Sequence, residues 1–255
     1  MALEFRAVSK WFGEAETALL ALSEVSFRVA DSEFVAIVGP SGCGKSTILN
    51  MAAGLYGPSA GEVLVSGERV SGPNAHVGFM LQKDLLLPWR SIRANVEFGL
   101  EARGVARAGR RARAMAELAR CQLAGFEEHY PYQLSGGMRQ RAALARTLAI
   151  DPEIILLDEP FSALDAQTKL ILQEVFARTI AEAGKTTLLI THDLTEAVMM
   201  ADRVLVLSER PGRLVAELAV PLPHRAHPLK RREMPEIGPI AAELFGHLHL
   251  AEKAA

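Results

Sequence analysis

The chain has 255 residues, 49% hydrophobic and 23% charged, with a net charge of −2. That length supports one or two domains with a full core, and the near-neutral balance argues against a dedicated nucleic-acid binder, which carries a strongly basic domain. There is no run of about 18 apolar residues to span a bilayer, no signal peptide in the first six residues, and no disulfide framework from Cys43 and Cys121 alone, which fits a reducing compartment.

In chain order, Leu3–Val8 and Val25–Val29 alternate apolar and polar residues, as half-buried antiparallel strands do. Phe34–Val38 is apolar throughout and reads as a strand covered on both faces. It runs into Gly39-Pro-Ser-Gly-Cys-Gly-Lys-Ser-Thr47, which matches G-x-x-x-x-G-K-[ST] from Gly39 to Ser46. A helix is expected to follow over Ile48–Ala53. Gly39, Gly42 and Gly44, with Pro40, Ser41 and Cys43 between them, let the backbone wrap an anion, and the helix start near Thr47 adds unpaired N–H groups. In this pattern Lys45 reaches the outer phosphates and the Ser46 hydroxyl holds Mg²⁺.

Further strands are expected at Glu62–Val65, Val77–Met80, Ile154–Asp158, Thr187–Ile190, Val204–Leu207 and Leu214–Leu218. From about Leu85 to Ile150 the pattern turns helical, with segments at Ile92–Gly99, Ala106–Leu123 and Gly137–Leu148. A β-rich and α/β core interrupted by a helical insertion is the simplest architecture. The arginines at 103, 107, 110, 111, 113 and 120 read as a solvated helix face, because no aromatic residues interleave for base stacking. The tail after 222 is Pro- and His-rich and is expected to form one short helix.

Ile154-Ile-Leu-Leu-Asp158 is an apolar strand that ends in two carboxylates, Asp158 and Glu159. Beside a phosphate loop, the first belongs near Mg²⁺ and the second can orient or deprotonate a water. Taken with Leu134-Ser-Gly-Gly-Met-Arg-Gln-Arg141, these residues make the chain resemble the ATP-binding subunit of ABC transporters, from about Leu3 to Leu218. The resemblance implies a P-loop NTPase with a RecA-like α/β core, an antiparallel β subdomain and a helical subdomain over about 85–150. The ATPase domain would span 1–222 and the tail 223–255.

The resemblance also implies ATP as substrate with Mg²⁺, and roles for particular residues. Glu159, His192 and Lys45 would be catalytic. Phe12, or its neighbour Trp11, would stack on adenine. Gln82 would contact Mg²⁺ and a transmembrane partner. Ser135, Gly136 and Gly137 would close over the γ-phosphate bound by a second subunit, a hydroxyl and N–H groups at a helix start making the anion site. The loop Ser162-Ala-Leu-Asp165 would cross the dimer interface. A bulky thiol reagent on Cys43 would block turnover.

Leu86-Leu-Pro-Trp89, Asn95-Val96, Thr191–Val198, Ala201–Val204 and Glu209–Arg213 are similar to the nitrate, sulfonate and taurine importer group. That group implies a two-copy permease, a second ATPase subunit (identical or paralogous) and a periplasmic binding protein, at the cytoplasmic face of a bacterial inner membrane. The alternatives are another importer or exporter class, or a non-transport ATPase of DNA repair or translation. The last two fit poorly, because about ninety residues without sustained heptads separate phosphate loop and signature, and only one set of motifs is present. The solute is not written in the chain.

Overall fold

A computed structural model of the chain describes residues 1–14 and 18–253, with side chains to Leu248. Two sheets form the framework. The first is antiparallel, in the order β2-β1-β4-β5, built from β1 (Leu3–Phe12), β2 (Leu19–Val29), β4 (Ala60–Val65) and β5 (Glu68–Arg69). β2 begins six residues before the expected Val25, because the β1–β2 ladder absorbs register shifts between Phe5 and Trp11 and continues to Leu19. Such shifts hide a long strand from a strict two-residue period.

The second sheet has six strands in the order β10-β9-β3-β8-β7-β6. These are β3 (Phe34–Val38), β6 (Val77–Met80), β7 (Ile154–Asp158), β8 (Thr186–Ile190), β9 (Arg203–Leu207) and β10 (Leu214–Ala219). Only β10 runs antiparallel to its neighbour. The central strand β3 explains its own composition. Phe34, Ala36 and Val38 enter one hydrophobic core, while Val35 and Ile37 enter the other. A strand covered on both faces reads as a continuous apolar run rather than an alternation.

Under one face lies α1 (Lys45–Ala52). The other face carries most of the remaining helices. Between β6 and β7 the chain inserts α2 (Ile92–Ala102), α3 (Arg107–Arg120) and α4 (Gly136–Ala149), which pack on one another. The arginines here do more than face solvent. Arg113 and Arg120 both pair with Glu117, whose side chain is 1% exposed, and Arg103 donates to the carbonyls of Ile150 and Ala75. They tie the insertion together, since a buried carboxylate needs its cations.

Four helices complete the core: α5 (Ala166–Glu182) after β7, α6 (Leu194–Met200) after β8, and in the tail α7 (Pro228–Arg232) and α8 (Ile237–Lys253). The tail thus forms two helices rather than one. Its second helix packs on α6, β9 and β10. No helix among the described residues is long and apolar enough to cross a membrane.

Candidate functional site

Strand order decides where the predicted residues meet. In a parallel sheet, loops at the carboxyl ends of adjacent strands share one edge. Here β3, β8, β7 and β6 are consecutive neighbours. The phosphate loop follows β3, His192 follows β8, Asp158 and Glu159 end β7, and Gln82 follows β6. Residues as far apart in sequence as Gly39 and His192 therefore assemble along one rim.

The loop from Gly39 to Gly44 ends with Gly44 as the cap of α1, at φ 101° and without a side-chain cap bond. A Cβ there would lie 2.6 Å from a Leu22 methyl and 3.1 Å from the Ala21 carbonyl. Only glycine fits, and the first turn keeps its N–H groups for an anion. Lys45 is 8% exposed. Its Nζ donates to the carbonyls of Gly39 at 2.7 Å and Pro40 at 2.8 Å, and it forms no ion pair among the described residues. A nearly buried cation with only neutral acceptors suits an incoming phosphate.

Cys43 corrects one sequence expectation. Its side chain is 1% exposed and lies beneath the loop, 3.9 Å from the Lys45 Nζ. Burial pushes its thiol pKa up, so the thiolate that a reagent needs is scarce and shielded.

Ser46 Oγ lies 3.4 Å from Asp158 Oδ1. Desolvation raises the Asp158 pKa, the response of a carboxylate short of positive charge. A hydroxyl and a carboxylate oxygen are hard ligands of the kind Mg²⁺ takes, so these residues fit the ion. Glu159 adopts φ 45°, and its Oε2 lies 3.1 Å from His192 Nδ1. Gln82 turns toward another partner: its Nε2 donates to Ser162 Oγ at 3.0 Å, and that hydroxyl donates to the Glu159 carbonyl at 3.0 Å. Gln82 is thereby linked to the backbone of the two carboxylates.

At the end of β1, Phe12 and Trp11 are both partly exposed, 39% and 41%. Phe12 packs edge-on against Tyr56 at 5.5 Å, with Lys10 Nζ 5.3 Å from its ring.

The signature lies apart from this rim. Among the described residues, no hydrogen bond joins Ser135, Gly136 or Gly137 to the phosphate loop. Ser135 caps α4, its hydroxyl accepting from the Met138 N–H at 3.3 Å. Gly136 lines a cavity of about 440 Å³ with Gln82, Asp84 and Leu164. A Cβ on Gly137 would lie 2.9 Å from a Thr168 methyl, so α4 and α5 need this glycine to approach. Asp165 caps α5, accepting from the Thr168 N–H at 3.0 Å.

Sequence reasoning missed several supports. Arg146 donates to the carbonyls of Asp84 and Leu85 and Arg139 to the Asp84 carboxylate, fixing the Gln82 loop to α4. Asn95, fully buried, bonds the carbonyls of Leu87, Arg90 and Ser91 and the Leu87 N–H, bracing the Pro88-Trp89 turn. Gly212 backs the phosphate loop: a Cβ on it would stand 2.0 Å from the Cys43 carbonyl oxygen. Only the small size of the glycine after Pro211 hints at that contact.

A phosphate-cradling helix start, a hydroxyl–carboxylate pair and a glutamate–histidine pair on one rim define a P-loop nucleoside-triphosphate hydrolase. The ABC transporter family model matches residues 22–162. Taurine import ATP-binding protein TauB of Yersinia pestis bv. Antiqua is 50% identical over 200 residues, 78% of each chain. TauB of Burkholderia thailandensis is 48% identical over 209 residues, 82% of this chain and 80% of the relative. A solved dimeric ATP-binding cassette, MJ0796, in a post-hydrolysis state bound to ADP and Pi, superposes with a TM-score of 0.73 at 33% identity, over 86% of this chain and 98% of that one. The chain belongs to the ABC transporter family and is its ATP-hydrolysing type of subunit.

Proposed function

We propose that the chain powers a bacterial importer for a small anionic or zwitterionic solute, a sulfonate such as taurine before nitrate. It would act as a homodimer beneath a two-copy permease at the cytoplasmic face of the inner membrane, with a periplasmic binding protein delivering the solute. Support comes from the two taurine-import relatives at about half identity over about four fifths of the chain. The single observation that carries the reading is the convergence of Lys45, Asp158, Glu159, Gln82 and His192 on one rim.

The residues divide the work as follows. Backbone from Gly39 to Thr47 binds the phosphates and Lys45 neutralises their charge. Ser46 and Asp158, with Gln82 at the edge, would hold Mg²⁺, which when bound supplies charge stabilisation to the transferring phosphoryl group. Glu159 orients or deprotonates the attacking water. His192 bonds Glu159 and reports the γ-phosphate. Phe12 stacks on adenine. Ser135, Gly136 and Gly137, with Asp165, serve the nucleotide of the second subunit, and this accounts for their separation from the rim. Closure around two nucleotides and opening after hydrolysis then supply the stroke.

The test is reconstitution with the permease captured by this chain from detergent-solubilised host membranes. Taurine with its binding protein should stimulate ATP hydrolysis about tenfold or more. Stimulation by a different solute would reassign the substrate, and capture of ribosomes or DNA-associated proteins without a permease would end the importer reading.

A further inference from the structure

We infer that Arg231, in the tail, is a positioning residue for the His192–Glu159 pair, acting through helix α6; the inference rests on the proposed roles of those two residues. Arg231 lies beyond the stretch that the family model matches. It is 1% exposed, among the largest fully buried side chains, and pairs with no carboxylate among the described residues. Its guanidinium is spent on backbone carbonyls. Nη1 donates to Ala201 at 2.7 Å and more loosely to Val198 and Met199 at 3.4 Å. Nε donates to Pro223 at 2.8 Å, and Nη2 to Leu222. The first three carbonyls close the C-terminal end of α6, the groups that a helix leaves without partners. A cation there also complements the helix dipole. The other two anchor the same guanidinium to the strap leading out of β10.

Helix α6 has seven residues, and only Thr191 and His192 lie between β8 and its cap Asp193. The pose of α6 therefore sets where His192 stands. At its other end, Lys169 of α5 bonds Asp193 and Glu196, each at 2.9 Å. On the flank between these two clamps, Gln173 Nε2 donates to Glu196 Oε2 at 2.8 Å. A cavity of about 280 Å³ lies along this flank, lined in part by Lys169, Gln173, Met199 and Arg232, and the buried Gln173 Oε1 has no hydrogen-bond partner. Core packing of Ala197, Val198, Met199 and Met200 holds the body of the helix, and its ends need their own ties beside the cavity. Lys169 fixes the beginning and Arg231 the end.

The test uses the full chain, with the ring resonances of its histidines followed by NMR and His192 assigned through His192→Ala. Arg231→Met keeps the apolar stem and removes every donor. We expect the His192 resonance to move, ATP affinity to stay within about twofold of wild type and turnover to fall about tenfold, a ten-fold effect being about 1.4 kcal/mol. Arg231→Lys, which keeps the charge with a smaller set of donors, should give an intermediate shift; it also carries the readout if the Met variant does not fold. A His192 resonance unmoved in the folded variant overturns the inference, whatever the turnover. Loss of ATP affinity in step with turnover also overturns it, because that marks a general loosening of the fold. Should His192→Ala keep wild-type turnover, the assigned role of His192 fails, while the resonance shift still decides whether Arg231 places it.

Discussion

The phosphate loop and the signature turn are both helix starts built from glycine and serine, yet the protein treats them differently. The loop before α1 is backed by the central strand β3, by Gly212 pressed on the Cys43 carbonyl, and by Lys45 bonded to its carbonyls. It holds a cation, and its helix has no side-chain cap. The turn before α4 has a serine cap already using its hydroxyl oxygen, no lysine, and a place on the inserted helices. One is a complete anion cradle. The other, in the proposed dimer, would be half of a site completed by the nucleotide of a second copy.

The largest effect should fall on the rim that the loop shares. Glu159→Gln should keep ATP binding and lose turnover by about 10²-fold or more, the contribution of a general base; turnover near wild type would remove Glu159 from the mechanism. Lys45→Ala should weaken ATP binding by about 10- to 100-fold, from the loss of a charge-assisted bond of about 1.5–3 kcal/mol, as titration calorimetry on the isolated chain would read. A signature variant should leave that single-chain affinity untouched.

The two cysteines report on the two regions separately. Cys43 lies under the loop and Cys121 in the inserted helices, both buried. Burial pushes the Cys121 thiol up to about 12. Below the ordinary thiol pKa both states are neutral; above it the unfolded chain ionises first. Stability should therefore fall between about pH 9 and pH 12, by about 1 kcal/mol at pH 10. Cys121→Ala should flatten that decline in melts at pH 8 and pH 10, and an unchanged slope would assign the loss elsewhere. The smallest effect belongs to the signature cap. Ser135→Ala should cost about 0.5–1 kcal/mol of stability and leave ATP affinity of the single chain at the wild-type value. A weaker single-chain affinity would show that the two helix starts are not independent.

Much of this was legible in the sequence because it is local. Phe34–Val38 announces a buried strand, and Gly39–Ser46 and Leu134–Arg141 fix their own turns. Helix α5 lies outside the expected helices, although Asp165 is a cap residue and Leu172, Val175, Phe176, Thr179 and Ile180 follow at helical spacing. What could not be read depends on packing between distant segments. Arg231 looks like one more basic residue in a polar tail until the carbonyls of Val198, Met199 and Ala201 are seen around it. Gln82 reads as a ligand residue, and its bond to Ser162 comes only from the adjacency of β6 and β7.

Glu159 carries its backbone at φ 45°, where a side chain with a Cβ is disfavoured. The two residue types that would sit there most comfortably, glycine and asparagine, have no carboxylate to offer a water. If Glu159 acts on the water as proposed, selection for a sturdier fold and selection for turnover pull this position in opposite directions. A library sorted on thermal stability alone would drift toward a well-folded chain that clasps its nucleotide and never lets the cycle proceed.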